Sequence, residues 1–263
     1  QQMEVIMYQI TKAKKLADKI YLMDVVAPRV AANCLPGQFI IAKVDKEGER
    51  IPLTICDYDR EEGTITIVFQ TVGASTEKMA QLKAGDSFRD FTGPLGCPSE
   101  LISEDIESLK NKKILFVAGG VGAAPVYPQV KWMHAHGIDV DVIVGSKTKD
   151  MLILEKEMEA VAGNYYPCTD DGTYGHAGMV TTKIEALVAE GNKYDVCVAI
   201  GPMIMMKFVC LLTKKLEIPT IVSMNPIMVD GTGMCGACRL KVGDEIKFAC
   251  VDGPKFDGHL VDF

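Results

Sequence analysis

From residue 111 to residue 225 the chain alternates short apolar runs with longer stretches of helical period, and this alternation restricts the fold more than any other feature. KKILFVAGG is a buried-strand run. APVYPQVKWMHAHG reads as a helix with proline in its first turn and Gly137 at its end. IDVDVIVGS, KDMLILEKEMEAVAG, NYYPCTDDG, MVTTKIEALVAEG, YDVCVAIG, PMIMMKFVCLLTKKL and PTIVSMN continue the series. A β-α-β-α-β-α-β-α-β pattern predicts an open parallel sheet with helices on both faces.

The first hundred residues have a different texture. Segments near 4–12, 19–27, 38–44, 51–57 and 64–70 are short, rich in Val, Ile, Tyr and Thr, and separated by turn signals. They predict a small antiparallel barrel or sandwich. STEKMAQLKAG predicts one short helix, capped by Ser75 and ended by Gly85. From about Pro226 the chain has no helical period and is rich in glycine. The predicted organisation is β-barrel plus α/β, with units at 1–102, 103–225 and 226–263.

Charge excludes some functions. Among 263 residues the formal net charge is −7, which argues against binding a phosphate backbone and hence a nucleic acid. The N-terminus has no apolar core of a secretory signal. The longest uncharged run, 114–130, is broken by three Gly and two Pro, so no membrane span is expected.

The chain has nine cysteines. Cys34, Cys56, Cys97, Cys168, Cys197 and Cys210 are scattered singly, several inside apolar runs, and are expected to be small buried hydrophobes. Without export signals a disulfide framework is not expected, which points to reducing cytoplasm. The other three stand together in MVDGTGMCGACRLKVGDEIKFACVDGP: Cys235, Cys238 and Cys250. Plant-type 2Fe–2S sites use Cys-x4-Cys-x2-Cys and a distant fourth Cys. The register here is Asp230-x4-Cys235-x2-Cys238-x11-Cys250, with Asp230 where the first cysteine should be. A carboxylate is a harder ligand than a thiolate but coordinates ferric iron. The competing explanation is a zinc knuckle or an inert remnant, but the one nearby histidine, His259, is not at ligand spacing. His134, His136 and His176 show no metal spacing either, and no Ser–His–Asp signature is present.

The first strand-to-helix turn of the alternating region is AGGVGAAP, carrying Gly119, Gly120, Gly122, Ala124 and Pro125. Such a turn lets backbone N–H groups and a helix N-terminus face a pyrophosphate. It is not GxGxxG, so a purely structural turn stands beside the nucleotide-binding reading.

RIPLTI, GAST, GPLG, GGVGAAP and AIGPMIMM, in this order, resemble the ferredoxin–NADP reductase superfamily. The resemblance implies FAD held by Arg50, Pro52, Leu53 and Thr54 along the isoalloxazine and ribityl chain. It also implies Val68, Phe69 and Gln70 beside the cofactor, Gly73 among the FAD-binding residues, and Ser75 and Thr76 at its pyrophosphate. NAD(H) would lie on the glycine turn and on Gly201, Pro202 and Met203. No protein side chain would be catalytic. Hydride transfer would occur at FAD, positioned by Thr54, Gly201 and Pro202. Many relatives carry Cys before the Gly-Pro pair, where this chain has Ile200. In the segment that selects the nicotinamide, TDDGTYGHAG presents Asp170 and Asp171, which would repel a 2′-phosphate and accept from a ribose diol.

The tail narrows the resemblance to flavoprotein subunits with a C-terminal 2Fe–2S domain. One is the electron-transfer subunit of type B dihydroorotate dehydrogenase, which keeps four cysteines. The other is the small subunit of electron-bifurcating NADH-dependent reduced ferredoxin:NADP oxidoreductase, where an Asp ligand is expected. The second fits Asp230 better. It implies a larger flavin and iron–sulfur partner related to the small subunit of glutamate synthase, with ferredoxin reached indirectly. The rivals are a subunit feeding dihydroorotate dehydrogenase or a hydrogenase-type complex, and a non-catalytic flavin or cluster sensor.

Overall fold

The computed structural model describes residues 8–263; residues 4–7 of the first expected strand lie outside the described residues. The N-terminal half holds β1 (Tyr8–Ala17), β2 (Ile20–Val26), α1 (Pro28–Asn33), β3 (Phe39–Lys43), β4 (Ile51–Asp59), β5 (Thr64–Gln70), α2 (Ala74–Ala80), β6 (Ser87–Phe88) and β7 (Asp90–Leu95). The strands form one antiparallel sheet in the order β6-β1-β2-β5-β4-β3-β7. Only Arg89 separates β6 from β7, yet β6 pairs with β1 at one edge and β7 with β3 at the other. The last strand therefore bends at Arg89 and closes the sheet into a barrel, removing its edges. Period-two alternation fills the interior: Ile65, Ile67 and Phe69 of β5 meet Ile10, Met23, Ile40, Phe88 and Phe91. Truncating one of the aliphatic members to Ala costs roughly 2–5 kcal/mol.

The cap of α2 differs from the expectation. Gly73, not Ser75, is the N-cap, and the helix ends at Ala80, ahead of Gly85. Thr76 supplies the capping hydroxyl, accepting from Val72 N–H at 2.9 Å and Gly73 N–H at 3.2 Å. A hydroxyl three residues past the cap is placed to fold back in this way. The Ser75 hydroxyl instead donates to the Glu49 carboxylate.

After α3 (Ile106–Lys110) come β8 (Ile114–Gly119), α4 (Ala123–Ala135), β9 (Asp141–Ser146), α5 (Glu155–Val161), β10 (Asn164–Thr169), β11 (His176–Ala177), α6 (Val180–Ala189), β12 (Val196–Ile200), α7 (Met203–Lys215) and β13 (Thr220–Ser223). The expected alternation is present in full. Every residue of β8 is buried, because both faces of the sheet are covered. Phe116 and Ala118 enter one core with Val130 and Val142; Leu115 and Val117 enter the other with Ile143 and Val209.

The last segment adds β14 (Arg239–Val242), β15 (Glu245–Phe248) and β16 (Lys255–Asp257). β14 and β15 form a hairpin. β16 pairs antiparallel with β13, opposing Phe256 to Val222. The second sheet therefore reads β11-β10-β9-β8-β12-β13-β16. Its chain order reverses between β8 and β12, and the crevice at their C-terminal ends is where such sheets bind ligands. Lys255 on β16 is buried and its ammonium has no hydrogen-bond partner among the described residues. Burial pulls its pKa down to about 8. No described helix is long and apolar enough to cross a membrane.

Candidate functional site

A cavity of about 990 Å³ opens between the barrel and the C-terminal ends of β8 and β12. Ligand pockets typically occupy roughly 300–1,000 Å³, so this one suits a large cofactor. All of Arg50, Pro52, Leu53, Thr54, Val68, Phe69, Gln70, Gly73, Ser75 and Thr76 line it. They converge because β4 and β5 are paired neighbours and α2 follows β5 directly. Gly119, Gly120, Gly122, Pro125, Gly201 and Pro202 form the opposite wall. Its charged residues are Glu49 and Arg50. Sequence reasoning missed Asn225, Pro226, Ile227 and Met228, which also line it; their one signal is that they follow the C-terminal end of β13.

A second cavity, about 520 Å³, lies along the ends of β9 and β10. Gln70, Gly119, Gly120, Val121 and Pro202 line both cavities. The two strand-to-helix turns behind this shared wall touch. A Cβ on Gly122 would collide with the Ile200 carbonyl oxygen, and a Cβ on Gly201 would come within 3.0 Å of the Gly119 nitrogen. Glycine at 122 and 201 is what allows the approach.

Asp170 faces the second cavity with Ser146, Lys147, Met179 and Phe208, four residues the sequence did not single out. Asp171 does not. Its carboxylate accepts from the Thr173 hydroxyl at 2.7 Å and the Thr173 N–H at 3.0 Å, which holds its pKa below the ordinary value. Ala124 and Met203 line neither cavity. Ala124 is buried in the core beneath α4, and Met203 opens α7 with its side chain exposed.

The third constellation is the loop 230–250. The Asp230 carboxylate accepts from the Thr232 hydroxyl and from the N–H groups of Thr232 at 3.1 Å, Met234 at 3.0 Å and Cys235 at 3.1 Å. Thr232's hydroxyl first, then the backbone donors, hold its pKa down to about 2. Cys238 Sγ and Cys250 Sγ lie 3.3 Å apart, both buried, whereas Cys235 is exposed. Burial, with the Cys238 contact adding to it, pushes the Cys250 thiol up to about 11; metal coordination replaces such thiol protons. Two of the candidate donors, the Cys238 and Cys250 thiols, are thus in contact, and Asp230 meets Cys235 through the Cys235 backbone N–H. Among the described residues no three His, Cys, Asp or Glu side chains converge as a site for one ion. Three thiols and one carboxylate on a single glycine-rich loop are the donor chemistry that an iron–sulfur cluster would take, and Asp230, Cys235, Cys238 and Cys250 are the residues that would hold it.

Of the scattered cysteines, Cys34, Cys56, Cys168, Cys197 and Cys210 are buried as expected. Desolvation raises their thiol pKa values, that of Cys34 to about 11 and those of Cys168 and Cys210 to about 12. Cys97 departs from the expectation and is exposed. It lies just past β7, and its position is set by hydrogen bonds to the tail rather than by an apolar core. Its N–H donates to the Gly253 carbonyl at 2.7 Å and its thiol to the Val251 carbonyl at 3.1 Å. His259 hydrogen-bonds Thr213 at 2.9 Å, away from the thiols.

Comparison with known proteins matches two stretches of the chain. A family model described as the iron–sulfur cluster binding domain of dihydroorotate dehydrogenase B matches residues 225–262. One described as an oxidoreductase NAD-binding domain matches residues 116–211. The electron transfer subunit homolog of dihydroorotate dehydrogenase B (NAD(+)) from Thermotoga maritima is 44% identical, over 97% of this chain and 87% of the relative. The chain belongs to the family of dihydroorotate dehydrogenase B electron-transfer subunits and their homologues.

Within this family the Geobacillus kaustophilus electron transfer subunit is 33% identical, over 94% of each chain. A chain from the solved NADH-dependent reduced ferredoxin-NADP oxidoreductase, an enzyme of flavin-based electron bifurcation, is 40% identical with a TM-score of 0.90, over 99% of this chain and 91% of that one. Phthalate dioxygenase reductase shares the fold, with a TM-score of 0.63 at 14% identity. The barrel and the parallel sheet are therefore family architecture, with an NAD-binding unit followed by an iron–sulfur-binding one.

Proposed function

We propose that this chain is the NAD(H)-dependent flavin and iron–sulfur subunit of an electron-bifurcating NADH-dependent ferredoxin:NADP oxidoreductase. One observation carries the reading: the two cavities share the wall formed by Gln70, Gly119, Gly120, Val121 and Pro202. A nucleotide in the smaller cavity would bring its reacting end against a cofactor in the larger one. The barrel wall, Arg50 to Thr76, is assigned to FAD. The glycine turn, Asp170 and Gly201–Pro202 are assigned to NAD(H). Asp230, Cys235, Cys238 and Cys250 are assigned to a 2Fe–2S cluster. The units at 1–102, 103–225 and 226–263 follow this division, with the third lending β16 to the sheet of the second.

When bound, the flavin supplies conversion between two-electron and one-electron chemistry, and the cluster a one-electron carrier. The chain supplies geometry. Thr54 lines the larger cavity together with Gly201 and Pro202, so the barrel and the β12–α7 turn would hold the flavin and the nicotinamide between them. Val68 and Phe69 are buried in that wall, which excludes water from it. Ile200 places no thiol there, so what the chain would contribute to the hydride step is alignment of the two cofactors.

The partner is proposed to be a larger flavin and iron–sulfur subunit related to the small subunit of glutamate synthase, with ferredoxin reached through it, in reducing cytoplasm. The 40% identity to the bifurcating enzyme's chain supports this, as does Asp230 at the first ligand position of the register. A subunit feeding dihydroorotate dehydrogenase is the second reading, favoured by the family model over residues 225–262.

The test is purification with the native partner, with flavin, iron and sulfide assays and NADH turnover on an artificial one-electron acceptor. A large partner with a second flavin and further clusters supports the proposal. A dihydroorotate dehydrogenase partner overturns the bifurcating assignment. Flavin-loaded protein that does not oxidise NADH overturns the enzymatic reading altogether.

A further inference from the structure

Arg50 lines the larger cavity, yet its guanidinium is engaged elsewhere. Nε donates to the Val229 carbonyl at 3.0 Å, and Nη2 donates to the Asp230 carbonyl at 3.3 Å. These two carbonyls belong to the peptide planes on either side of the Asp230 Cα. Holding both planes fixes φ and ψ at Asp230, since those are the only soft backbone dihedrals of a residue. With φ and ψ fixed, the direction of its Cα–Cβ bond is fixed too. The carboxylate at the end of that bond is already held from the other side by Thr232, Met234 and Cys235. Asp230 is thus oriented at its main chain by the barrel and at its side chain by its own loop.

We propose that Arg50 is a positioning residue for the iron–sulfur centre, locking the Asp230 ligand arm to the flavin wall. This rests on the reading of Asp230 as an iron ligand and goes beyond it. Two consequences follow from the chemistry of arginine. The rigid planar fork reaches two acceptors at once, which a lysine ammonium on a flexible stem does not reproduce. The fixed positive charge beside the loop favours the more negative, reduced cluster, because an added electron is attracted to it.

The experiment compares the wild-type chain with Arg50→Gln, Arg50→Lys and Asp230→Ala, each carrying its cofactors. It measures flavin and acid-labile sulfide content, the electron paramagnetic resonance g-values of the reduced cluster, its midpoint potential, and its bleaching rate under a chelator. Loss of an outer-shell contact typically weakens a metal site about 10–100-fold, so Arg50→Gln is expected to bleach about tenfold faster. Its g-values are expected to shift and its potential to fall. Arg50→Lys is expected to keep the potential, because the charge remains, while its g-values still move. If Arg50→Gln does not fold, the g-values of Arg50→Lys alone decide the question. Unchanged g-values and potential, with only flavin lost, would make Arg50 a flavin contact and overturn the proposal. Failure of the underlying reading has a separate signature: no labile sulfide in the wild type, or an Asp230→Ala spectrum identical to it.

Discussion

Gly122 lies so close to the carbonyl of Ile200 that no side chain fits between them. The turn after β8 and the turn after β12 are thereby in van der Waals contact, and the wall common to both cavities depends on that contact. Gly122→Ala is expected to force the turns apart at a cost of about 1–3 kcal/mol, the usual range for overpacking. For a chain of this length that corresponds to roughly 2–4 °C in Tm per kcal/mol. NADH oxidation should fall further than stability does. A melting curve and an NADH KM both equal to wild type would show that the contact does not matter.

Asp170 faces the smaller cavity while Asp171 is spent on Thr173. Of the two aspartates, it is Asp170 that should bear on the choice of nicotinamide. Asp170→Arg is expected to lower kcat/KM for NADH about 10–100-fold, the worth of a hydrogen bond to a charged group, and to raise it for NADPH. Asp171→Ala should change the ratio little. Equal selectivity in wild type and Asp170→Arg would remove Asp170 from the site.

Asp230 has a defined substitute. Asp230→Cys is expected to retain the cluster and shift its potential, because a thiolate is a softer and more strongly donating ligand than a carboxylate. Asp230→Ala should lower cluster content and change the visible spectrum. Iron and sulfide analysis with absorbance spectra separates these outcomes.

Lys255 gives a prediction in pH. Its pKa in the fold, about 8, lies below the ordinary 10.5. Between these values the unfolded chain carries a proton that the folded chain lacks, so stability rises with pH across this window. Below about 8 the full cost of burying the ammonium is present. Lys255→Met should therefore stabilise the protein at pH 7, by at most about 3 kcal/mol at 1.36 kcal/mol per pKa unit. The gain should shrink as pH climbs from about 8 towards 10.5. Urea midpoints at pH 7 and pH 10 test it; an equal gain at both would mean that packing, not charge, is responsible.

The parallel sheet was legible because strands buried on both faces read as unbroken apolar runs, as Ile114–Gly119 does. The Asp230 register was legible because ligand spacing is a property of local sequence. Arg50 as a clamp was not, because its acceptors are main-chain carbonyls 179 and 180 residues away, and a carbonyl carries no residue identity. The exposure of Cys97 was hidden for a similar reason: its partners are the carbonyls of Val251 and Gly253. The pairing of Lys255–Asp257 with β13 was invisible because three residues are too few to show a period.

Arg50 and Cys97 fasten the tail to the barrel ahead of Asp230 and beyond Cys250, and β16 fastens it to the parallel sheet. A segment moored on both banks is not a swinging arm. It cannot ferry an electron by moving between donor and acceptor, as tethered carrier domains do. The distance from a flavin in the barrel to a cluster in the tail would then be set when the chain folds, and transfer to a partner would become a matter of where the partner docks rather than of how far the loop can travel.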